Sequence, residues 1–127
     1  MKEKYIAYQG QEFTIEWYFD DRNNSDVLEY FKTLPEQKQR KLGHLFRLLG
    51  DSGKIYNEEQ FRNEEDQIYA FKPTPHRFLC FFFQDAKVII TNGFEKKTNK
   101  LPIREKEKAL KLKKDYVNRC RNRSYYD

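Results

Sequence analysis

Three strand-like runs lie almost end to end, over residues 67–72, 77–83 and 87–91, with four and then three residues between them. Connections this short admit only antiparallel neighbours, because a parallel return needs a crossover of roughly a dozen residues. The middle of the chain is therefore committed to a β-meander. The longest apolar run, 78–83, has the length of a strand and falls far short of the ~20 residues that a spanning helix needs.

The other elements are arranged around that meander. Phe13, Ile15, Trp17 and Phe19 alternate with Thr14, Glu16 and Tyr18, the period of a half-buried strand. Val27, Leu28, Phe31 and Leu34 mark one face of a helix over 26–34. Pro35 breaks it and enters the first turn of a second helix, with Thr33 and Glu36 at capping-box spacing. Leu42, Leu45, Phe46 and Leu49 line that second helix, and Gly50 and Gly53 end it. The two form an αα-hairpin that covers a sheet face. Residues 55–66 are acidic and carry no regular pattern. A last helix over 102–117 starts with Pro102, shows a stripe of Ala109, Leu112 and Tyr116, and is otherwise coated with lysine. The predicted order is β-α-α-β-β-β-α: an α+β fold with a mostly antiparallel four-stranded sheet, an N-terminal αα-hairpin and a C-terminal helix. A single domain over 1–127 is expected, with flexible ends at 1–10 and 119–127.

Composition narrows the function classes. Aromatic residues make up 17% of the chain, which argues against disorder. Cys80 and Cys120 stand too far apart for a thiolate metal motif and suggest no disulfide framework. Glycine-rich phosphate loops, zinc-protease motifs and nucleophile elbows are absent, so no cofactor and no metal is expected. Residues 1–10 lack the apolar stretch of a signal peptide, and a cytoplasmic protein without a membrane partner is the expectation. His44, beside Leu45 on a helix, reads as structural or exposed. Charge is the strongest clue. Residues 71–127 hold 15 Lys/Arg against 6 Asp/Glu, a net of +9, whereas residues 1–70 hold 10 against 14, a net of −4. Such asymmetry points to nucleic acid or an acidic protein. A basic surface that is merely solvated is the bland alternative.

In a meander, alternate strand ends meet on one side. Lys72 and Arg77 flank the first hairpin turn, and Lys96 and Lys97 follow the last strand, so all four converge at one sheet end. His76 lies in the same turn. That set matches the needs of metal-free RNA cleavage, in which the substrate's 2′-OH attacks the phosphate. Lys and Arg clamp phosphoryl oxygens, a lysine crowded by cations loses its proton more readily, and His76 titrates near neutrality. Docking of a polyanion without chemistry fits the same residues. Each also has a plain structural role open to it: ion pairing with the acidic segment for Arg77, strand-edge protection for Lys72, solvated loop charge for Lys96 and Lys97.

The segments Ile68-Tyr69-Ala70-Phe71-Lys72, His76-Arg77-Phe78-Leu79-Cys80-Phe81-Phe82 and 88–98, then Leu101-Pro102, Glu105 and Ala109, resemble the phage Gp49-like, HigB-type branch of the RelE/ParE toxin superfamily. Gly93-Phe94-Glu95-Lys96-Lys97-Thr98, followed by Pro102 and a basic helix, is the most specific part. The resemblance spans residues 60–117, and residues 13–50 share only its β, α, α pattern. It implies a RelE-like fold with a small curved sheet, and a toxin of a type II toxin–antitoxin pair. It further implies an endoribonuclease, or mRNA interferase, that acts on mRNA at the ribosome and is neutralised by a helix-turn-helix antitoxin. Arg77 matches a phosphate-contacting arginine, Lys72 falls where relatives carry arginine, and Lys96 and Lys97 match a basic pair. Tyr116, Tyr125 and Tyr126 do not fall at the spacing of the C-terminal tyrosine or histidine that assists cleavage in several members. The contrasting expectation is a non-catalytic toxin or phage accessory protein that binds gyrase or another partner.

Overall fold

The computed structural model describes residues 2–126. A 3-10 turn, Lys2–Tyr5, leads into β1 (Ile6–Gln9) and β2 (Thr14–Trp17). The helices α1 (Asp26–Thr33) and α2 (Glu36–Ser52) follow, then β3 (Phe61–Asn63), β4 (Tyr69–Phe71), β5 (His76–Phe83), β6 (Lys87–Glu95) and α3 (Ile103–Arg121). The strands form one sheet in the order β1-β2-β6-β5-β4-β3.

The α+β class and the antiparallel β4–β5–β6 meander agree with expectation. The strand count does not. Among the described residues there are six strands rather than four, and the sheet is mixed because β2 pairs with β6 in parallel. The two extra strands are short edge strands, of four and three residues, and in β3 only Phe61 is buried. Strands this short carry too few residues for an alternation to stand out, so backbone pairing alone defines them.

β2 also differs from the half-buried strand expected. Its Glu16 is only 5% exposed, because both faces of the sheet are covered. Trp17 packs on Phe31 of α1 and Phe46 of α2. Glu16 faces the other side, where the Tyr126 hydroxyl donates to its carboxylate at 2.5 Å and the Lys87 ammonium stands 3.9 Å away. A buried carboxylate is tolerated when hydrogen-bonded and paired.

The helix ends follow local chemistry. The Ser25 hydroxyl accepts from the backbone N–H of Leu28 and caps α1. The Thr33–Glu36 capping box does not form. Thr33 instead donates back to the Tyr30 carbonyl at 2.6 Å, and Pro35 occupies the cap position of α2. Gly53, at φ 83°, ends α2 in the left-handed conformation that glycine adopts without strain. Gly50 lies inside α2 rather than beyond it.

One core spans the sheet. On the first face, Phe46 meets Phe71, and Tyr30 and Phe31 meet Phe78. On the second, Tyr116 of α3 packs edge-on against Phe81 and Phe83. Both chain ends contribute: Tyr5 is 3% and Tyr125 2% exposed, and the two rings touch. The Tyr125 hydroxyl also accepts from the backbone N–H of Phe19 at 2.8 Å. The sequence reading assigned no core residue to either end.

Candidate functional site

β5 alternates strictly, so its residues sort by face. His76, Phe78 and Phe82 face the α1/α2 side, and Arg77, Leu79, Phe81 and Phe83 face the α3 side. β6 keeps its own register with one bulge: Leu79 pairs with Asn92 and Cys80 with Ile90, leaving Thr91 as the extra residue. The Thr91 hydroxyl donates to Asn92 Oδ1 at 2.6 Å and lies 3.2 Å from the Leu79 carbonyl. Through this bulge Ile89 and Asn92 both reach the α3 side, where Asn92 Nδ2 donates to Glu105 at 3.0 Å. The bulge thereby anchors the first turn of α3 beside the end of β6.

Gly93, which begins the Gly-Phe-x-Lys-Lys-Thr element, lies beneath aromatic rings. A Cβ there would meet Phe78 at 2.8 Å and Tyr30 at 2.9 Å. Only glycine permits this close approach of sheet and helix. Phe94 is buried opposite Arg77, so the element holds the sheet end together as well as carrying lysines.

Lys72 extends the β4 pairing: its backbone N–H donates to Gln60 at 2.9 Å, and its ammonium donates to the Glu58 carbonyl at 2.9 Å. The Arg77 guanidinium donates to the His76 carbonyl, also at 2.9 Å. The backbone N–H of Lys96 donates to the Pro75 carbonyl at 2.8 Å, which ties the segment after β6 to the β4–β5 turn. Arg77 and Lys96 are close enough to act on the charge of Lys72. The Lys72 ammonium is pushed below its ordinary pKa by burial first, then by Arg77, Arg62 and Lys96, with Glu64 opposing. Arg77 is lowered by burial, again with Glu64 opposing. Among the described residues, none of Lys72, Arg77, Lys96 and Lys97 forms an ion pair. Lys97 is exposed.

His76 points to the other face. Its Nδ1 is 2.7 Å from the Tyr30 hydroxyl and its ring lies against that of Tyr30. Burial is the main cause that lowers its pKa, Lys38 and Arg77 add to it, and Glu95 opposes. So Lys72, Arg77 and Lys96 gather on one side of the sheet end while His76 sits behind them. Arg62 and Glu64 joined this site without a signal in the sequence, because they lie in the acidic stretch whose pairing was not legible.

The C-terminal tyrosines gather at the opposite end of the sheet. From Arg77 to Phe83 the strand runs about 20 Å. There the Tyr116 and Tyr126 hydroxyls are 2.6 Å apart, and both are raised in pKa chiefly by burial. Among the described residues, no three of His, Cys, Asp or Glu gather to hold a metal ion, and no helix is long and apolar enough to cross a membrane.

Fold and site together define a small α+β protein with a cationic sheet end. A family model described as "Phage derived protein Gp49-like (DUF891)" matches residues 29–114, from α1 into α3, and so contains every residue of that end. The chain belongs to this family, which is a RelE/HigB-like toxin family. No curated protein matches the chain.

Proposed function

We propose that this protein is the toxin of a type II toxin–antitoxin pair and acts in the cytoplasm as a metal-independent endoribonuclease on ribosome-bound mRNA. One observation carries the reading: Lys72, Arg77 and Lys96 converge without forming an ion pair among the described residues, and the donors of Lys72 and Arg77 rest on neutral carbonyls. A phosphodiester supplies the missing anion. Arg77 clamps two phosphoryl oxygens and stabilises the extra charge of the phosphorane. Lys72, whose proton is loosened, takes the proton from the 2′-OH. Lys96 protonates the departing 5′ oxygen, and Lys97 adds attraction for the strand. His76, bonded to Tyr30 behind the strand, holds the Arg77 backbone in place as a positioning residue. A helix-turn-helix antitoxin covers the cationic end in the inactive pair.

Expression of wild type against Arg77→Ala tests this, with growth and primer extension on translated mRNA as readouts. Cleavage should fall by about 10²–10³-fold, the cost of removing one charge-stabilising donor. A folded Arg77→Ala protein that remains fully toxic overturns the assignment. The placement of His76 behind the sheet favours one second reading, a non-catalytic toxin that binds gyrase or another partner. It predicts growth arrest with intact transcripts, and inhibition in a gyrase supercoiling assay if gyrase is the target.

A further inference from the structure

The cationic end continues around the sheet edge into the half of the chain whose net charge is negative. An open groove of about 580 Å³ lies between α2 and the segment that precedes β3. Lys38, Arg40 and Lys41 line its helical wall, and Lys72 and Thr74 from the sheet end also line it. Lys38 and Lys41 are one turn apart on α2 and therefore share a face. Arg40 is matched by Glu36 at 2.6 Å, but among the described residues neither Lys38 nor Lys41 forms an ion pair. Glu59 is the one acid in the lining, against four cations. Among the described residues no aromatic side chain lines the groove, so they offer no stacking platform for bases there. Its chemistry is that of a backbone track, which positions a strand without reading its sequence. Lys72 belongs to both the groove and the cationic sheet end and makes the two surfaces continuous, and Lys38 lies close enough to His76 to act on its charge.

We infer that this groove holds the sugar–phosphate backbone of the RNA strand beyond the phosphate seated at Arg77, with Lys38 and Lys41 as its charged wall. The identity of the polyanion rests on the ribonuclease reading; the placement of the track rests on the groove itself.

The test separates the two. Binding is measured by fluorescence anisotropy with 2′-O-methyl RNA oligonucleotides of two unrelated sequences. Such RNA keeps its phosphates but lacks the nucleophile, so binding is read without cleavage. Each phosphate contact contributes about 0.7 to the dependence of log affinity on log salt for a single strand. The Lys38→Ala/Lys41→Ala protein should show a slope smaller by about 1.4, equally on both sequences. The Lys38→Arg/Lys41→Arg protein keeps the charge and should retain the wild-type slope, and circular dichroism confirms that each variant is folded. An unchanged slope in the folded alanine variant overturns the inference. So does a loss confined to one sequence, or a wild type that binds no RNA. Translated mRNA judges the other reading: if primer extension finds it intact in the presence of the wild-type protein and ribosomes while the methylated strand binds through the groove, the ribonuclease assignment falls and the track stands.

Discussion

The two ends of the β5–β6 hairpin carry the same kind of charge and treat it in opposite ways. At the closed end Lys87 stands 3.9 Å from the Glu16 carboxylate and 4.0 Å above the Tyr126 ring. Nearby, Arg119 donates to Asp115 at 2.9 Å and lies 4.6 Å from the Tyr125 ring. Lys87 and Arg119 each have both an acid and an aromatic face beside them. At the open end Lys72 and Arg77 lean on carbonyls. Burial and then Arg77 lower the proton affinity of Lys72, and burial lowers that of Arg77. Among the described residues neither forms an ion pair with Glu64, which opposes both shifts. Net charge alone does not distinguish the two. What separates them is whether the fold has already supplied the counter-charge, because an unneutralised cluster is the one that gains from an incoming anion.

The comparison breaks most visibly at the closed end. Tyr116→Ala empties a fully buried ring site and should cost about 3–5 kcal/mol in urea or thermal unfolding. Cleavage per folded molecule should persist. A folded Tyr116→Ala protein that has lost cleavage would make the tyrosine end part of the chemistry and erase the contrast. At the open end, Lys72→Gln should lower the single-turnover cleavage rate by about 10²–10⁴-fold, the range for loss of a general base. In wild type the rate should rise with pH through a midpoint below the ordinary lysine value of 10.5. Lys96→Ala sharpens that point. It removes one of the cations that depress Lys72, so the midpoint should move up; a midpoint that stays put means that burial and the arginines set it without Lys96.

The smallest effect concerns His76. Its folded-state pKa lies below the ordinary 6.5, so the folded protein binds fewer protons than the unfolded chain between the two values. Stability therefore declines as pH falls through 6.5 towards the folded value, and the cost is complete below it. Denaturant unfolding across that window should show the decline in wild type and a flatter profile in His76→Gln. An identical profile in the variant removes His76 as the source.

Legibility followed the length and regularity of each element. The meander was readable because its connections are too short for any alternative, and the helices because Val27, Leu42, Leu45, Phe46, Leu49, Ala109 and Tyr116 keep helical spacing and are buried. β1 and β3 were not readable, since pairing rather than composition defines them. Glu16 looked like an outward residue and is buried, because its partner Tyr126 lies 110 positions away. Of the candidate site, the proximity of Lys72, Arg77 and Lys96 was legible as charges near one turn. Arg62, Tyr30 and Lys38 were not, since each reaches the sheet end from a separate element.

The sequence by itself determined that the chain forms an antiparallel meander flanked by helices and that its excess positive charge lies beyond residue 70. Only the tertiary structure decided which of those charges stay unmatched. Strand alternation sends Arg77 and His76 to opposite faces, the Thr91 bulge resets β6 so that Asn92 reaches α3, and the buried Glu16 claims Lys87 at the far end. Electrostatic pairing is a matter of distances of a few ångströms between residues far apart in the chain, and those distances exist only once the sheet has closed its register.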